Sequence, residues 1–519
     1  MTLQFRTARA VFLFLGLAFL GTTAMAQQNL PPEGETIDVS IVNVDVFVTD
    51  RKGGRVTGLT ADDFEIRENG VVQPITNFAE YRPDASNERL TVPFAKRTIV
   101  VFVERFALPE FRTRPVFAAI RKTLRGSVRS GDSATIIFWD NDSAYTLQDF
   151  TDDLPSLEAA LTEIEQHSTG VPGSIEHVQP NPTFAQTPSF SLERMKHKAN
   201  ELQAIMRSIS DEDGRKILIF ATSDFGLYPR GGEVRGNMLY AGSPDRGTEK
   251  YREAVARTAN EHGITIYPIY PVGLEWTPYA ATQNAAARVF RSKDYTVLLN
   301  QTAALGQLAE ETGGLMAAGS AEIAALLPRV VEDLSTYYSL AYPTPSTGTT
   351  RSRDIVVKAR NREYQVRSRR EYVEKTDVTR MQDRVLANLF RPDRRGSIPL
   401  RVQFGALEKA GKSSWSVPLK IEVPIQSLST VEGGEGSFSV FVATGGMIGV
   451  MSEIQQRAQR FSAPKAASGA THITYELALT FDDMARVVSV GVMDDRTKDY
   501  GLQTADLPAF SVDDLIGGQ

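Results

Sequence analysis

Between residues 97 and 342, short apolar runs alternate with apolar stripes at helical spacing. The runs are Thr98–Val103, Ala134–Trp139, Tyr145–Phe150, Lys216–Thr222 and Ile264–Val272. Between them lie Val116, Ile120 and Leu124, then Leu154, Leu157, Leu161 and Ile164, then a longer stripe from Leu192 through Met195, Ala199, Leu202, Ile205 and Met206 to Ile209. Ile323, Leu326, Leu327, Val330, Val331 and Leu334 form the last stripe. Apolar residues three and four apart share one helix face, and a run of about six apolar residues suits a strand buried on both faces. Strands alternating with helices predict an α/β fold built on a doubly wound, mostly parallel, Rossmann-like sheet. Only a short turn separates the second and third runs, so that pair is expected to be antiparallel. Three long stretches, 166–190, 223–247 and 273–297, read as loops, with 280–291 also compatible with a helix.

The flanking segments read as β structure. Ile37, Val39 and Ile41 alternate in one phase and Val42, Val44, Val46 and Val48 in the other, which predicts a β-bulge near Ile41–Val42. Thr60 followed by Asp63 resembles a capping box, and Asn69-Gly70 is a hairpin signal because both residues tolerate positive φ. This small piece is expected to lean on a neighbour for its core. Residues 353–373 alternate and carry many arginines, read as a solvated sheet face balanced by nearby acids. From about residue 395 short runs separated by Gly-rich turns predict an immunoglobulin-like β-sandwich. The resulting division is a signal peptide at 1–26, an N-terminal β unit and linker at 27–95, the α/β domain with its closing strands at 96–375, and the sandwich at 376–519.

At 519 residues the chain exceeds what one core supports. A net charge of −6 and a pI near 5.7 argue against general nucleic-acid binding. The absence of cysteine excludes disulfides, thiolate metal sites and a Cys nucleophile. Arg6 and Arg9, the apolar run Val11–Leu20 and Ala24-Met25-Ala26 have the pattern of a secretory signal peptide. The expectation is cleavage after Ala26, a secreted or periplasmic mature protein and no integral membrane segment in it. The histidines (167, 177, 197, 262 and 472) show no zinc-site spacing, and neither a Gly-x-Ser-x-Gly elbow nor a phosphate loop occurs. A hydrolase is therefore disfavoured, and a non-catalytic binding protein is expected.

Several stretches together resemble the secreted VWFA-related bacterial proteins of the acidobacterial type, which carry a von Willebrand factor type A (VWA) domain. They are Val44–Asp50 with Gly58–Phe64 and Glu68-Asn69-Gly70, Ile217–Thr222 with Ser223-Asp224-Phe225-Gly226, Leu308–Gly314, and Tyr337–Tyr342. The resemblance implies a VWA-like sheet, an extracytoplasmic location and adhesion-type binding at the C-terminal ends of the strands. It also implies a metal-ion-dependent adhesion site, whose first strand normally delivers Asp-x-Ser-x-Ser. Here those slots hold Glu104, Phe106 and Leu108. Glu104, Asp140, Asp142, Thr169 and Asp224 are the oxygen ligands left to gather on that face, suited to Mg²⁺ or Ca²⁺. Phe106 and Leu108 cannot supply the two hydroxyls, so the preferred expectation is a degenerate, metal-free site and no cofactor. Phe184, Phe225, Tyr228 and Trp276 lie on or beside the top loops, either anchoring a protein partner or packing the loops down. The alternative role is that of an accessory or assembly subunit of an envelope or secreted complex acting through the sandwich.

Overall fold

The computed structural model describes residues 39–82, 96–104, 110–139, 144–167, 188–210, 212, 214–222, 225, 234–235, 238–239, 246–270, 302–390, 396–411, 414–445, 452–462, 471–482 and 485–507. The proposed leader and the residue Ile37 lie outside these.

The N-terminal strands are β1 (Val39–Thr49), β2 (Phe64–Glu68), β3 (Val71–Gln73) and β4 (Asn77–Tyr81). The central domain follows as β5 (Arg97–Glu104), α1 (Glu110–Ser127), β6 (Ser133–Trp139), β7 (Ala144–Thr151), α2 (Leu154–His167), α3 (Pro188–Ser208) and β8 (Arg215–Ala221). It continues through the two-residue strands β9 (Val234–Arg235) and β10 (Met238–Leu239), then α4 (Arg246–Glu261), β11 (Ile264–Tyr270), α5 (302–312), β12 (Ala317–Ala318) and α6 (Gly319–Ser335). Its main sheet has the order β12-β11-β8-β5-β6-β7. All neighbours are parallel except β6 and β7, which run antiparallel as their short connection predicts. This is a doubly wound, mostly parallel α/β sheet with one antiparallel edge.

Alternate residues of β5 serve two cores. Ile99, Val101 and Val103 pack with α1, α2 and α6, while Val100 and Phe102 pack with α3, α4 and α5. The helical stripes read from the sequence are therefore the inner faces of two helical layers. The Leu308–Gly314 motif has a physical role at the end of α5. Gly313 takes φ +80°, the left-handed helix-ending conformation. Gly314 lies so near β11 that a Cβ there would collide with the Ile266 carbonyl. Between these contacts, Thr312 Oγ1 accepts a hydrogen bond from the Ile266 amide at 3.2 Å.

Strands β13 (Tyr337–Pro345), β14 (Arg351–Ala359), β15 (Gln365–Ser368) and β16 (Glu371–Glu374) return to the N-terminal strands. They form two four-stranded sheets, β15-β1-β13-β4 and β16-β14-β2-β3. The even-numbered valines Val42–Val48 of β1, with Tyr338, Leu340 and Tyr342 of β13, face Phe64, Ile66, Ile355 and Val357 across a shared core. The expected bulge in β1 is absent: the register runs unbroken from Val39 opposite Pro345 to Val46 opposite Tyr338. The apparent change of phase arises because Ile41 is an exposed apolar residue on the opposite face. The hairpin signal holds, with Asn69 and Gly70 both at positive φ.

The arginine-rich strands correct a second expectation. Arg351, Arg360, Arg362 and Arg370 are exposed, but Arg353 is buried between Glu68 and Glu374. Arg367 reaches the fully buried Asp333 of α6 with Nη2 2.9 Å from both carboxylate oxygens. Arg55 also pairs with Asp333, and Tyr267 donates to it at 2.9 Å. One buried aspartate thus ties the β layers to the central domain.

Helix α7 (Asp377–Phe390) was not anticipated. It packs on α3 and on the sheet β21-β20-β23-β24, formed by β20 (Glu435–Gly445), β21 (Gln455–Ser462), β23 (Val487–Asp494) and β24 (Tyr500–Asp506). Met381, Val385 and Leu389 cover Phe441, Met493 and Leu502. The sheet's other face shares a core with β17 (Arg401–Phe404), β18 (Glu408–Lys409), β19 (Ser414–Pro424) and β22 (His472–Asp482). The C-terminal part is therefore two packed antiparallel sheets with a helix covering one of them.

Candidate functional site

The C-terminal ends of β5, β6 and β8 converge on Glu104, the last residue of β5. Parallel pairing sets Glu104 beside Trp139. Its carboxylate is fully buried, an expensive position unless paired and hydrogen-bonded. Lys198 of α3 is equally buried and places Nζ 2.6 Å from Glu104 Oε1. Thr222, just beyond β8, donates its hydroxyl to Glu104 Oε2. The same ammonium lies 4.6 Å from the Trp139 ring centroid, in cation–π range. Phe102 and Phe220 close the apolar side, their rings edge-to-face at 5.5 Å.

The first ligand position of the anticipated metal set therefore carries an ammonium against it. A divalent cation at this carboxylate would meet a fixed positive charge within a few ångströms and in low dielectric, where Coulomb repulsion is strong. Asp140, Asp142, Thr169 and Asp224 lie outside the described residues, as do Phe106 and Leu108. Among the described residues no group of three or more His, Asp or Glu side chains has metal-binding geometry.

Of the expected partner-binding aromatics, Phe184, Tyr228 and Trp276 also lie outside the described residues. Phe225 is described, and it corrects the expectation of an accessible anchor. It is fully buried, edge-on to Phe220 at 5.3 Å between ring centroids. It packs the segment after β8 onto the sheet, the second of the two roles open to it.

Sequence reading missed Lys198 and Glu201, and named His197 only as a histidine without zinc-site spacing. All three sit on α3, where Lys198 occupies a position on the buried stripe. A lysine at a core-facing helical position beside a strand-ending glutamate is the signal that could have found the pair. Glu201 is fully buried, with neither oxygen hydrogen-bonded among the described residues. Burial pushes its carboxyl up to about 8. His197 Nε2 stands 3.6 Å from its Oε1, and the His197 ring approaches Trp139 at 6.3 Å. The site holds a compensated charge pair, a protonated carboxyl and aromatic walls.

No family model matches the chain, and no curated protein matches it. Solved structures similar to it share little sequence. An aerotolerance-related membrane protein from Bacteroides fragilis is 12% identical with a TM-score of 0.26, covering 46% of this chain and 98% of its own. The vWF domain of the type V pili tip protein Mfa5 from Porphyromonas gingivalis is 13% identical with a TM-score of 0.26, covering 46% and 93%. The manganese-loaded TRAP protein of Plasmodium vivax is 10% identical at the same score, covering 58% and 98%. Likenesses at such scores carry no argument about this chain, whose fold is described by the strand order and the antiparallel edge given above.

Proposed function

We propose that the chain is an exported, non-catalytic, adhesion-type protein that engages a protein partner through the top loops of its VWA-like domain without a divalent ion. The observation that carries this reading is the buried Glu104–Lys198 pair. In a metal-dependent site the cation would sit at this strand end and offer an open coordination position to a partner's carboxylate. Here an internal ammonium already neutralises the glutamate, so the partner must be recognised by loop side chains and not by metal coordination. The C-terminal sheets, which we read as an immunoglobulin-like sandwich, would then serve as spacer or second contact surface. The test is capture of a partner from envelope extract of the native host by immobilised intact protein, with and without EDTA. Retention unaffected by EDTA supports the reading; elution by EDTA, restored by Mg²⁺ or Ca²⁺, overturns it.

A further inference from the structure

Among the described strands, every sheet edge but one is blunted against pairing with a further strand, by short length, irregular register, charge or cover. Strands β9, β10, β12 and β18 have two residues each, β3 has three, β15, β16 and β17 have four and β4 has five. β7 meets β6 in a broken register. β21 carries the exposed Arg457 and Arg460. β24 is covered at Tyr500, whose carbonyl accepts a hydrogen bond from the Ile398 amide at 3.0 Å. β22 is the exception. It pairs with β19 over eleven residues without a break, and among the described residues no strand pairs with its other edge. It contains no proline, no lysine and no charge on its core-facing positions. It lies in the C-terminal sheets, and nothing about it rests on the reading of the Glu104 site.

The outward groups of this edge follow from its pairing with β19. Pro418 and Pro424 have no N–H, and they stand opposite Ala478 and His472. The Ile425 amide donates to the Thr471 carbonyl at 3.1 Å. Bonded and non-bonded pairs alternate along an antiparallel ladder. The odd-numbered residues of β22 are thus bonded to β19, and the even-numbered ones turn their N–H and C=O groups outward. Side chains alternate as well. Ile473, Tyr475, Leu477, Leu479 and Phe481 face the core between the two C-terminal sheets. The first three are only half-buried, and Tyr475 and Leu477 line a cavity of about 210 Å³ between β22 and β21. Thr474, Glu476, Ala478 and Thr480 are exposed on the opposite face.

The strand is its own complement. In an antiparallel pair of copies centred on Leu477, every outward N–H meets a C=O. Leu477 meets Leu477, Tyr475 meets Leu479 and Ile473 meets Phe481, so apolar side chains cover one another. On the other face Thr474 meets Thr480, and Glu476 meets Ala478. A centre one residue earlier would set the two Glu476 carboxylates directly opposite, which is destabilising. A contact in which the same patch serves both copies closes as a two-fold dimer.

We infer that β22 is a self-association edge, through which two copies of this chain pair antiparallel about Leu477 into one continuous sheet. The test is sedimentation equilibrium of the intact protein over a concentration series, with substitutions at the exposed position 478. The expected result is a reversible monomer–dimer equilibrium. Ala478→Glu faces Glu476 of the second copy with a like charge and should weaken the dimer, whereas Ala478→Lys faces it with an opposite charge and should tighten it. Their dissociation constants should differ by about tenfold, because each contact occurs twice. The cysteine-free chain allows a second readout. Leu477→Cys would oppose its own copy at a Cα separation of about 4.5 Å, within disulfide reach, and should cross-link under mild oxidation. Ala478→Cys is more exposed but diagonal to its copy, and should cross-link less. Circular dichroism checks each fold; should Leu477→Cys not fold, the Ala478→Glu and Ala478→Lys pair decides. The inference is overturned by a monomer at every concentration, by equal dissociation constants in Ala478→Glu and Ala478→Lys, or by a folded Leu477→Cys that cross-links no more than Ala478→Cys.

Discussion

Lys198 and Glu104 are held out of water against each other, so removing one strands the other as a buried charge. Breaking such a pair costs about 3–5 kcal/mol, whereas replacing both members by apolar residues of similar volume is often near neutral. Lys198→Ala should therefore lower stability by about that amount, and Lys198→Met with Glu104→Leu should recover most of it, as read from urea unfolding midpoints. Glu201 makes the second residue-scale prediction. Its folded pKa is raised from 4.5 to about 8 by burial. Across that window the folded state keeps a proton the unfolded chain has released, so stability falls as pH rises and levels off above about 8. Glu201→Gln should flatten melting temperature against pH between 6 and 9 and exceed the wild type at pH 9. A variant with the wild-type pH slope would refute the assignment.

At the scale of elements, the two sheets of the β layers are pinned by one buried network. Arg353 of β14 bonds Glu68 of β2 at 2.7 Å and Glu374 of β16 at 2.6 Å. Tyr342 and Thr344 of β13, in the facing sheet, donate to the same Glu68. Burial raises the Glu374 carboxyl, but hydrogen bonds from Ser346, Arg353 and Thr347 outweigh it and hold the group at about 2. Its contribution is thus present above its unfolded value of 4.5 and is lost as pH falls towards 2. Arg353→Ala should cost about 3–5 kcal/mol by leaving two buried carboxylates without their counter-charge, and should shrink the acid-side loss that Glu374 gives the wild type, the hydrogen bonds from Ser346 and Thr347 remaining. Chemical denaturation from pH 7 to 3 measures both. These long-range pairings explain what the sequence could and could not convey. Periodicity within a segment made β5, β6, β8 and β11 and the faces of α1, α2, α3 and α6 legible, because each buries a continuous apolar stripe. Which arginine turns inward depends on Glu68 and Asp333, far away in the chain, and no local pattern encodes that. Helix α7 has a readable stripe in Met381, Val385 and Leu389, but it was hidden by the β character of its surroundings. At the site, Glu104 was legible as a polar end to an apolar strand; its partner Lys198 lies 94 residues on, and only the packing of α3 joins them.

For the whole molecule, β1 lies between β15 and β13, so the strands before and after the central domain fold as one layer pair. Deleting residues 39–82 would remove β1 to β4 and expose Tyr338, Leu340, Ile355 and Val357. The truncated chain should therefore melt lower and bind a hydrophobic dye. Likewise a C-terminal fragment beginning at 377 should give a cooperative transition, whereas one beginning at 396 should not, because α7 covers Phe441, Met493 and Leu502. Equal cooperativity of the two fragments would refute that role for α7. The central claim is that Lys198 stands where a divalent ion would otherwise act. A ligand that binds only the folded state stabilises it by RT ln(1 + [L]/Kd), about 2.7 kcal/mol at a hundredfold excess over Kd. The most direct measurement is thermal unfolding of the intact protein in EDTA and then in millimolar Mg²⁺ or Ca²⁺. The account predicts the same midpoint in all three; a rise of several degrees with either ion, lost in Glu104→Gln, would contradict it.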